Sequence, residues 1–178
     1  RHGYLQVADA FLDSGVIVST RGRMSDSNLI LRATPGDILN GAPIIILVDV
    51  GSASASEVVA GALKDQKRAL LMGSRTFGKG SVQKVFPMTR GDGIKLTISR
   101  YYTPNGKSIQ ANGITPDVIV SGTANKSLRE QDLAGHLAGD EETDGGFSRG
   151  ESIAGDDIVN RALARLKLAS APKTRSKK

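Results

Sequence analysis

Residues 43–73 read PIIILVDVGSASASEVVAGALKDQKRALLMG, and the order of patterns within them decides the fold. Ile44 to Val50 is a short β-branched run bounded by Pro43 and Gly51, with one polar residue, Asp49. Such a run suits a strand buried on both faces, which predicts a central parallel strand. The period then changes: Val58, Val59, Ala62 and Leu63 fall on one helical face, and Glu57 supplies the first-turn acid that a helix N-terminus favours. Ala69 to Met72 reads as a second strand, completing a right-handed βαβ unit. Ser52, Ser54 and Ser56 therefore lie where a strand turns into a helix.

Working outward, Tyr4 to Leu12 repeats its apolar residues at helical spacing, and Ser14-Gly15 stops it. Val16–Val18 and Leu29–Leu31 read as short strands, and Thr34-Pro35-Gly36-Asp37 as a turn. Val82 to Met88 and Ile94 to Tyr102 form a predicted hairpin, and Val118–Val120 a last strand. The expected organisation is an α/β core over 1–121, an acidic glycine-rich loop or disordered segment over 122–155, an amphipathic helix over 156–169 and a basic tail over 170–178. The acids Asp156 and Asp157 would open that last helix.

The chain has 178 residues, 39% hydrophobic and 24% charged, in the range of a folded domain. It contains no cysteine, which excludes disulfides, thiolate nucleophiles and cysteine-ligated metals. The longest apolar run, Ile44 to Val48, falls far short of the roughly 20 residues that span a bilayer, so no transmembrane segment is expected. The formal charge of +6 divides unevenly: residues 126–157 carry nine acids against three bases, and residues 161–178 seven bases and no acid. A charged tail of this kind reads as a solvated end, and without basic-aromatic alternation nucleic acid is not an expected partner. Arg1-His2-Gly3 is neither an initiator nor a signal peptide, so we expect the chain to begin inside a longer protein.

Candidate chemistry is sparse. The two histidines, His2 and His136, are poorly placed as general bases, and Ala53, Ala55 and Ser56 around Ser54 exclude a Gly-x-Ser-x-Gly elbow. A serine acting here would need a lysine as base, which requires an amine kept neutral by burial or nearby positive charge. Lys79, within Thr76-Phe77-Gly78-Lys79-Gly80, is the natural candidate, because flanking glycines permit close folding and Phe77 helps exclude water. Residues 73–79 also satisfy Gly-x-x-x-x-Gly-Lys, but Gly80 replaces the magnesium-binding hydroxyl and a strand follows where a phosphate site needs a helix. Ser54 has two readings at this point: Ser54-Ala55-Ser56-Glu57 is a capping box worth roughly 1 kcal/mol with no chemistry implied, and the same helix mouth can stabilise an oxyanion. The histidines and carboxylates lack ligand spacing, so no metal or other cofactor is expected.

Four ordered motifs carry a resemblance. GSASASE over 51–57, TFGKGSVQ over 76–83, LTISRYYTPNG over 96–106 and GITPD over 113–117 resemble the carboxy-terminal processing peptidases, or tail-specific proteases. The resemblance covers roughly residues 5–120. It implies Ser54 as nucleophile, Lys79 as general base, Gln83 as the residue orienting that lysine, and the Ala55 backbone N–H as an oxyanion donor. It further implies a crotonase-like α/β fold with a mixed, mostly parallel sheet flanked by helices, protein or peptide substrates with exposed C-termini, a periplasmic or cell-envelope location and a tendency to self-associate into a homo-oligomer. The Asn-Pro-Gly-Gly stretch that supplies that family's second oxyanion donor is not recognisable in Arg1-His2-Gly3-Tyr4, and the family's PDZ domain is expected to lie upstream of these residues. Asp49 stands where the family often has an amide. A non-catalytic scaffold of the same fold, with Ser54 merely capping a helix, is the alternative.

Overall fold

Two four-stranded sheets, one entirely antiparallel and one entirely parallel, hold the described residues in place of the single mostly parallel sheet expected. The computed structural model describes residues 3–89, 91–121, 128–140, 151–154 and 158–170. The chain runs α1 (Gly3–Asp9), β1 (Val16–Gly22), β2 (Leu29–Arg32), β3 (Ile44–Val48), α2 (Ala55–Asp65), β4 (Ala69–Gly73), β5 (Ser81–Pro87), β6 (Gly93–Tyr102), β7 (Val118–Ser121), β8 (Glu151–Ala154) and α3 (Ile158–Ser170). The antiparallel sheet has the order β2-β1-β6-β5 and the parallel sheet β3-β4-β7-β8.

The parallel sheet shows why the 43–73 stretch looks apolar throughout. Ile44, Ile46, Val48, Ala69 and Leu71 face one core cluster with Val58 and Leu63 of α2. Ile45, Leu70, Met72, Val118 and Val120 face a second cluster with Ile158 and Ala162 of α3. A strand with helices on both faces has no polar side to show. β3 is nevertheless an edge strand of this sheet, not a central one, and Leu47 stays well exposed. β4 holds the inner position with β7, because the β3–α2–β4 unit leaves the far side of β4 open to a strand from later in the chain.

The first cluster also takes in Ala8 and Leu12 beside α1, and Ile17 and Val18 of β1, so α2 is buried between the two sheets. Its first turn then opens toward the loop that joins β4 to β5. The segment read as loop or disorder is corrected in part: residues 151–154 form β8, parallel to β7. Residues 128–140 contain a one-turn 3-10 helix, Glu130–Asp132, and fold against the β4–β5 loop. The expected first-turn acids Asp156 and Asp157 and the tail beyond Ser170 lie outside the described residues.

Candidate active site

The turn between β3 and α2 is tied off by Asp49. Its Oδ1 accepts the N–H groups of Gly51 and Ser52 at 3.0 Å each and the Ser52 hydroxyl at 3.1 Å. That turn separates the three serines. Ser52 is committed to Asp49 and Ser56 is exposed on the first turn of α2, whereas Ser54 stands at the junction itself with φ 54° and ψ −111°. A positive φ at a residue with a Cβ costs of order 1–3 kcal/mol and persists only where surrounding bonds impose it.

Glu57 imposes it. Its carboxylate is 0% exposed and accepts four hydrogen bonds. Oε2 takes the Ser54 N–H at 2.8 Å and the Lys79 N–H at 2.8 Å. Oε1 takes the Thr76 hydroxyl at 2.5 Å and the Gly78 N–H at 2.7 Å. Burial pushes the Glu57 pKa above its ordinary value, while the Thr76 hydroxyl and the three N–H donors pull it back. The Ser54 contact is the Glu57 half of the capping box foreseen from the sequence. The other three contacts convert it into a clamp between the serine turn and the lysine loop, and the Phe77 N–H closes the same junction by donating to the Ser52 carbonyl at 3.0 Å.

The lysine loop is held as firmly on its other side. The Gly78 carbonyl accepts the Ala111 N–H at 2.8 Å, the Gly80 N–H donates to Gln110 Oε1 at 3.0 Å, and the Gly80 carbonyl accepts the Tyr101 N–H at 2.7 Å. Gly78 has φ +99° and Gly80 lies against the main chain of Gln110, so the two glycines are required by conformation and by space respectively. Gln110 is itself fully buried, and its amide nitrogen donates to the Leu137 carbonyl at 2.9 Å. Residues 128–140 thus close the back of the loop, where the Glu130 N–H also reaches the Phe77 carbonyl at 3.1 Å.

The four predicted site residues are distributed unequally. Ser54 and Lys79 are both half-buried and their backbones share one carboxylate oxygen. Among the described residues no carboxylate is ion-paired to Lys79 Nζ. Ala55 is the first residue of α2, so its N–H has no acceptor within the helix. Gln83 sits on β5, exposed, with its amide 3.5 Å from the Thr97 hydroxyl. The β5–β6 register shifts beside it, with Val82 opposite Ser99 and Gln83 opposite Thr97, so a bulge resets the face at this point. The loop leads into β5 and not into a helix, which leaves the Gly-x-x-x-x-Gly-Lys spacing without the helix terminus a phosphate site uses. The clamp residues Thr76 and Gln110, and the reach of Glu57, were not anticipated from sequence. Only the placement of Thr76 inside the 76–83 motif hinted at a role.

Residues 2–120 match peptidase family S41. A carboxy-terminal-processing protease of Bartonella bacilliformis is 46% identical over 149 residues, covering 80% of this chain and 34% of that protein. The chloroplastic carboxyl-terminal-processing peptidase 2 of Arabidopsis thaliana is 42% identical over 113 residues, covering 64% of this chain and 22% of its own length. Among solved structures, the photosystem II D1 C-terminal processing protease superposes with a TM-score of 0.58 at 41% identity, over 65% of this chain and 30% of that one. The chain thus spans about a third or less of each of these relatives. With the matched residues running from α1 through β7 and enclosing both the serine turn and the lysine loop, the chain belongs to peptidase family S41.

Proposed function

We propose that this chain carries the catalytic core of a serine-type endopeptidase that hydrolyses peptide bonds near protein C-termini, with Ser54 and Lys79 as its dyad. The observation that supports the reading most strongly is the shared Glu57 Oε2, which draws the Ser54 and Lys79 main chains to within two hydrogen-bond lengths. In this reading Lys79, as the free amine, takes the proton of the Ser54 hydroxyl while Oγ bonds to the scissile carbonyl carbon. The Ala55 N–H, first in α2 and free of a helical acceptor, donates to the oxyanion. Collapse of the tetrahedral species breaks the C–N bond, and the proton on Lys79 passes to the departing amine. Water, deprotonated by the same lysine, then hydrolyses the serine ester and restores both groups. Gln83 orients Lys79 from β5 in this scheme. The finer fold assignment is crotonase-like, and the working location is the periplasm or cell envelope. The substrates are proteins with exposed C-termini, and the active form includes a homo-oligomer.

A peptide carrying a C-terminal fluorophore, incubated with the protein, tests the reading together with a fluorophosphonate label followed by mass spectrometry. Cleavage lost in both Ser54→Ala and Lys79→Ala, with the adduct on Ser54 alone, is the expected result. Undiminished cleavage in either variant, or an adduct on Ser52 or Ser56, overturns it. The same measurement separates an enzyme from a scaffold in which Ser54 only caps α2.

A further inference from the structure

Gln110 carries an amide into a place where an apolar side chain would cost less. It is 0% exposed, between the buried Ile109 and Ala111. A buried amide is tolerated when its polar atoms are paired, and both of these are, by different parts of the chain. Oε1 accepts the Gly80 N–H at 3.0 Å, while Nε2 donates to the Leu137 carbonyl at 2.9 Å and to Glu130 Oε1 at 3.2 Å. One side chain thus joins the residue after Lys79 to residues 128–140. The turn that carries it is strained. Ala111 has φ 61°, which a residue with a Cβ holds only where its surroundings impose it, and its N–H donates to the Gly78 carbonyl at 2.8 Å.

Residues 128–140 touch the rest of the chain around the same bridge. The Glu130 N–H donates to the Phe77 carbonyl at 3.1 Å. The Gly139 main chain runs against Gln110, where a Cβ would stand 2.7 Å from the Gln110 carbonyl oxygen. The Asp140 carboxylate accepts the Arg100 guanidinium and the Tyr102 hydroxyl, on either side of Tyr101, whose N–H holds the Gly80 carbonyl. These anchors all fall on the lysine loop or on residues that border its contacts. Leu128, Leu133 and Leu137 meanwhile stay exposed. A segment held by hydrogen bonds, with its apolar side chains left outside, opens at lower free energy than the core.

We propose that Gln110 is a positioning residue for Lys79, and that residues 128–140 form a strap which acts on the lysine through it. The inference rests on the dyad reading above and deepens it. With the strap docked, Leu137 and Glu130 fix the Gln110 amide, Gln110 Oε1 fixes Gly80, and the Lys79 N–H stays on Glu57 Oε2 beside that of Ser54. With the strap released, the amide loses both acceptors at once and its hold on Gly80 slackens. The lysine then drifts relative to the serine while no group is removed from the substrate path. Misalignment of this kind lowers kcat and leaves KM little changed.

Gln110→Glu keeps an acceptor for the Gly80 N–H but offers no donor to Leu137 and faces the Glu130 carboxylate, so it cuts the bridge on the strap side alone. In the peptide-cleavage assay its kcat should fall about tenfold at nearly constant KM, and amide hydrogen exchange at Lys79 and Gly80 should quicken. Adding Glu130→Gln returns a donor opposite the new carboxylate and should restore part of both. Asp140→Ala frees the far end of the strap with Gln110 in place, and should quicken the same two amides and lower kcat even where Gln110→Glu fails to fold. If none of these variants moves exchange or kcat while Lys79→Ala is inactive, the strap is overturned and the dyad stands. A loss of kcat that Glu130→Gln does not relieve, accompanied by a matching fall in thermal midpoint, makes Gln110 structural only and overturns the proposal as well. Full cleavage by Lys79→Ala overturns the dyad instead, and with it any catalytic role for Gln110, even where exchange at Lys79 still follows the strap.

Discussion

The N–H groups of Ser54 and Lys79 donate to a single oxygen, Glu57 Oε2, at 2.8 Å each. Two segments separated by α2 and β4 are thereby fixed to each other through one buried side chain of α2. Glu57→Gln tests this. An amide offers one oxygen where the carboxylate offers two, and although the Thr76 hydroxyl can rotate to accept from the new NH2, the Gly78 N–H cannot. One orphaned buried donor should cost about 1–3 kcal/mol in chemical denaturation. Turnover of the peptide substrate should fall with kcat, leaving KM little changed, because the proposed groups remain present and only their alignment suffers. An unchanged kcat would mean that the clamp is structural alone.

Ser54 is strained in the resting fold, which gives a second expectation of unusual sign. With φ 54° and ψ −111° it occupies backbone space that glycine enters freely and serine does not. Ser54→Gly should therefore raise stability by about 1 kcal/mol relative to Ser54→Ala while neither variant hydrolyses peptide. Denaturation midpoints of the two variants side by side provide the check. Equal midpoints would show that the turn is not strained against its side chain.

Gly80 closes the loop by contact and not by conformation. A Cβ there would stand 2.3 Å from the Gln110 nitrogen and 2.9 Å from the Ile109 carbonyl carbon, both main-chain atoms that cannot rotate away. Gly80→Ala should push the loop off residues 109–110, break the Gly80 N–H bond to Gln110 and destabilise the chain by about 1–3 kcal/mol. Amide exchange at Lys79 should accelerate in parallel, since its bond to Glu57 depends on the same loop position. Protection at Lys79 equal to the parent would count against the loop being a single unit.

The elements were legible because their signals are local. The β-branched run from Ile44, the change to helical period at Val58 and the turn residues around 89–93 are each read within a few positions. Partner choice was not local. Nothing in Ile44–Val48 says that β3 sits at an edge, because a strand covered by helices on both faces is apolar whether or not a neighbour lies beside it. The division into a parallel and an antiparallel sheet escaped for the same reason, and β8 escaped because residues 151–154 are too few, in too polar a context, to show alternation. At the candidate site, Ser54 and Lys79 were singled out through motifs and the demand of a histidine-poor sequence for another base. Glu57 was read only as a cap, since its bonds to Thr76, Gly78 and Lys79 join residues about twenty apart through a buried charge that periodicity does not record.

The approach to β3 is fixed by a charge pair whose effect has a defined pH window. Asp37 is buried, and its carboxylate meets Arg68 through Nε at 2.8 Å and a second guanidinium nitrogen at 3.3 Å, while also accepting the Leu39 N–H at 2.9 Å and the Gly41 N–H at 3.0 Å. The Arg68 hydrogen bond, more than any other contact, holds the Asp37 carboxyl below its ordinary value of 3.8. A carboxylate that binds protons less readily in the folded chain than in the unfolded one contributes stability at pH above that ordinary value. The contribution disappears as pH falls through the lower folded value. Denaturant midpoints measured from neutral pH to below 3.8 should therefore fall more steeply in the parent chain than in Asp37→Asn, which has no proton to take up there. The two curves should converge at the acid end, because a protonated Asp37 pairs with Arg68 no better than an asparagine does. Curves that stay parallel throughout would place the acid sensitivity of this chain in other carboxylates and leave the pair a role in loop geometry only.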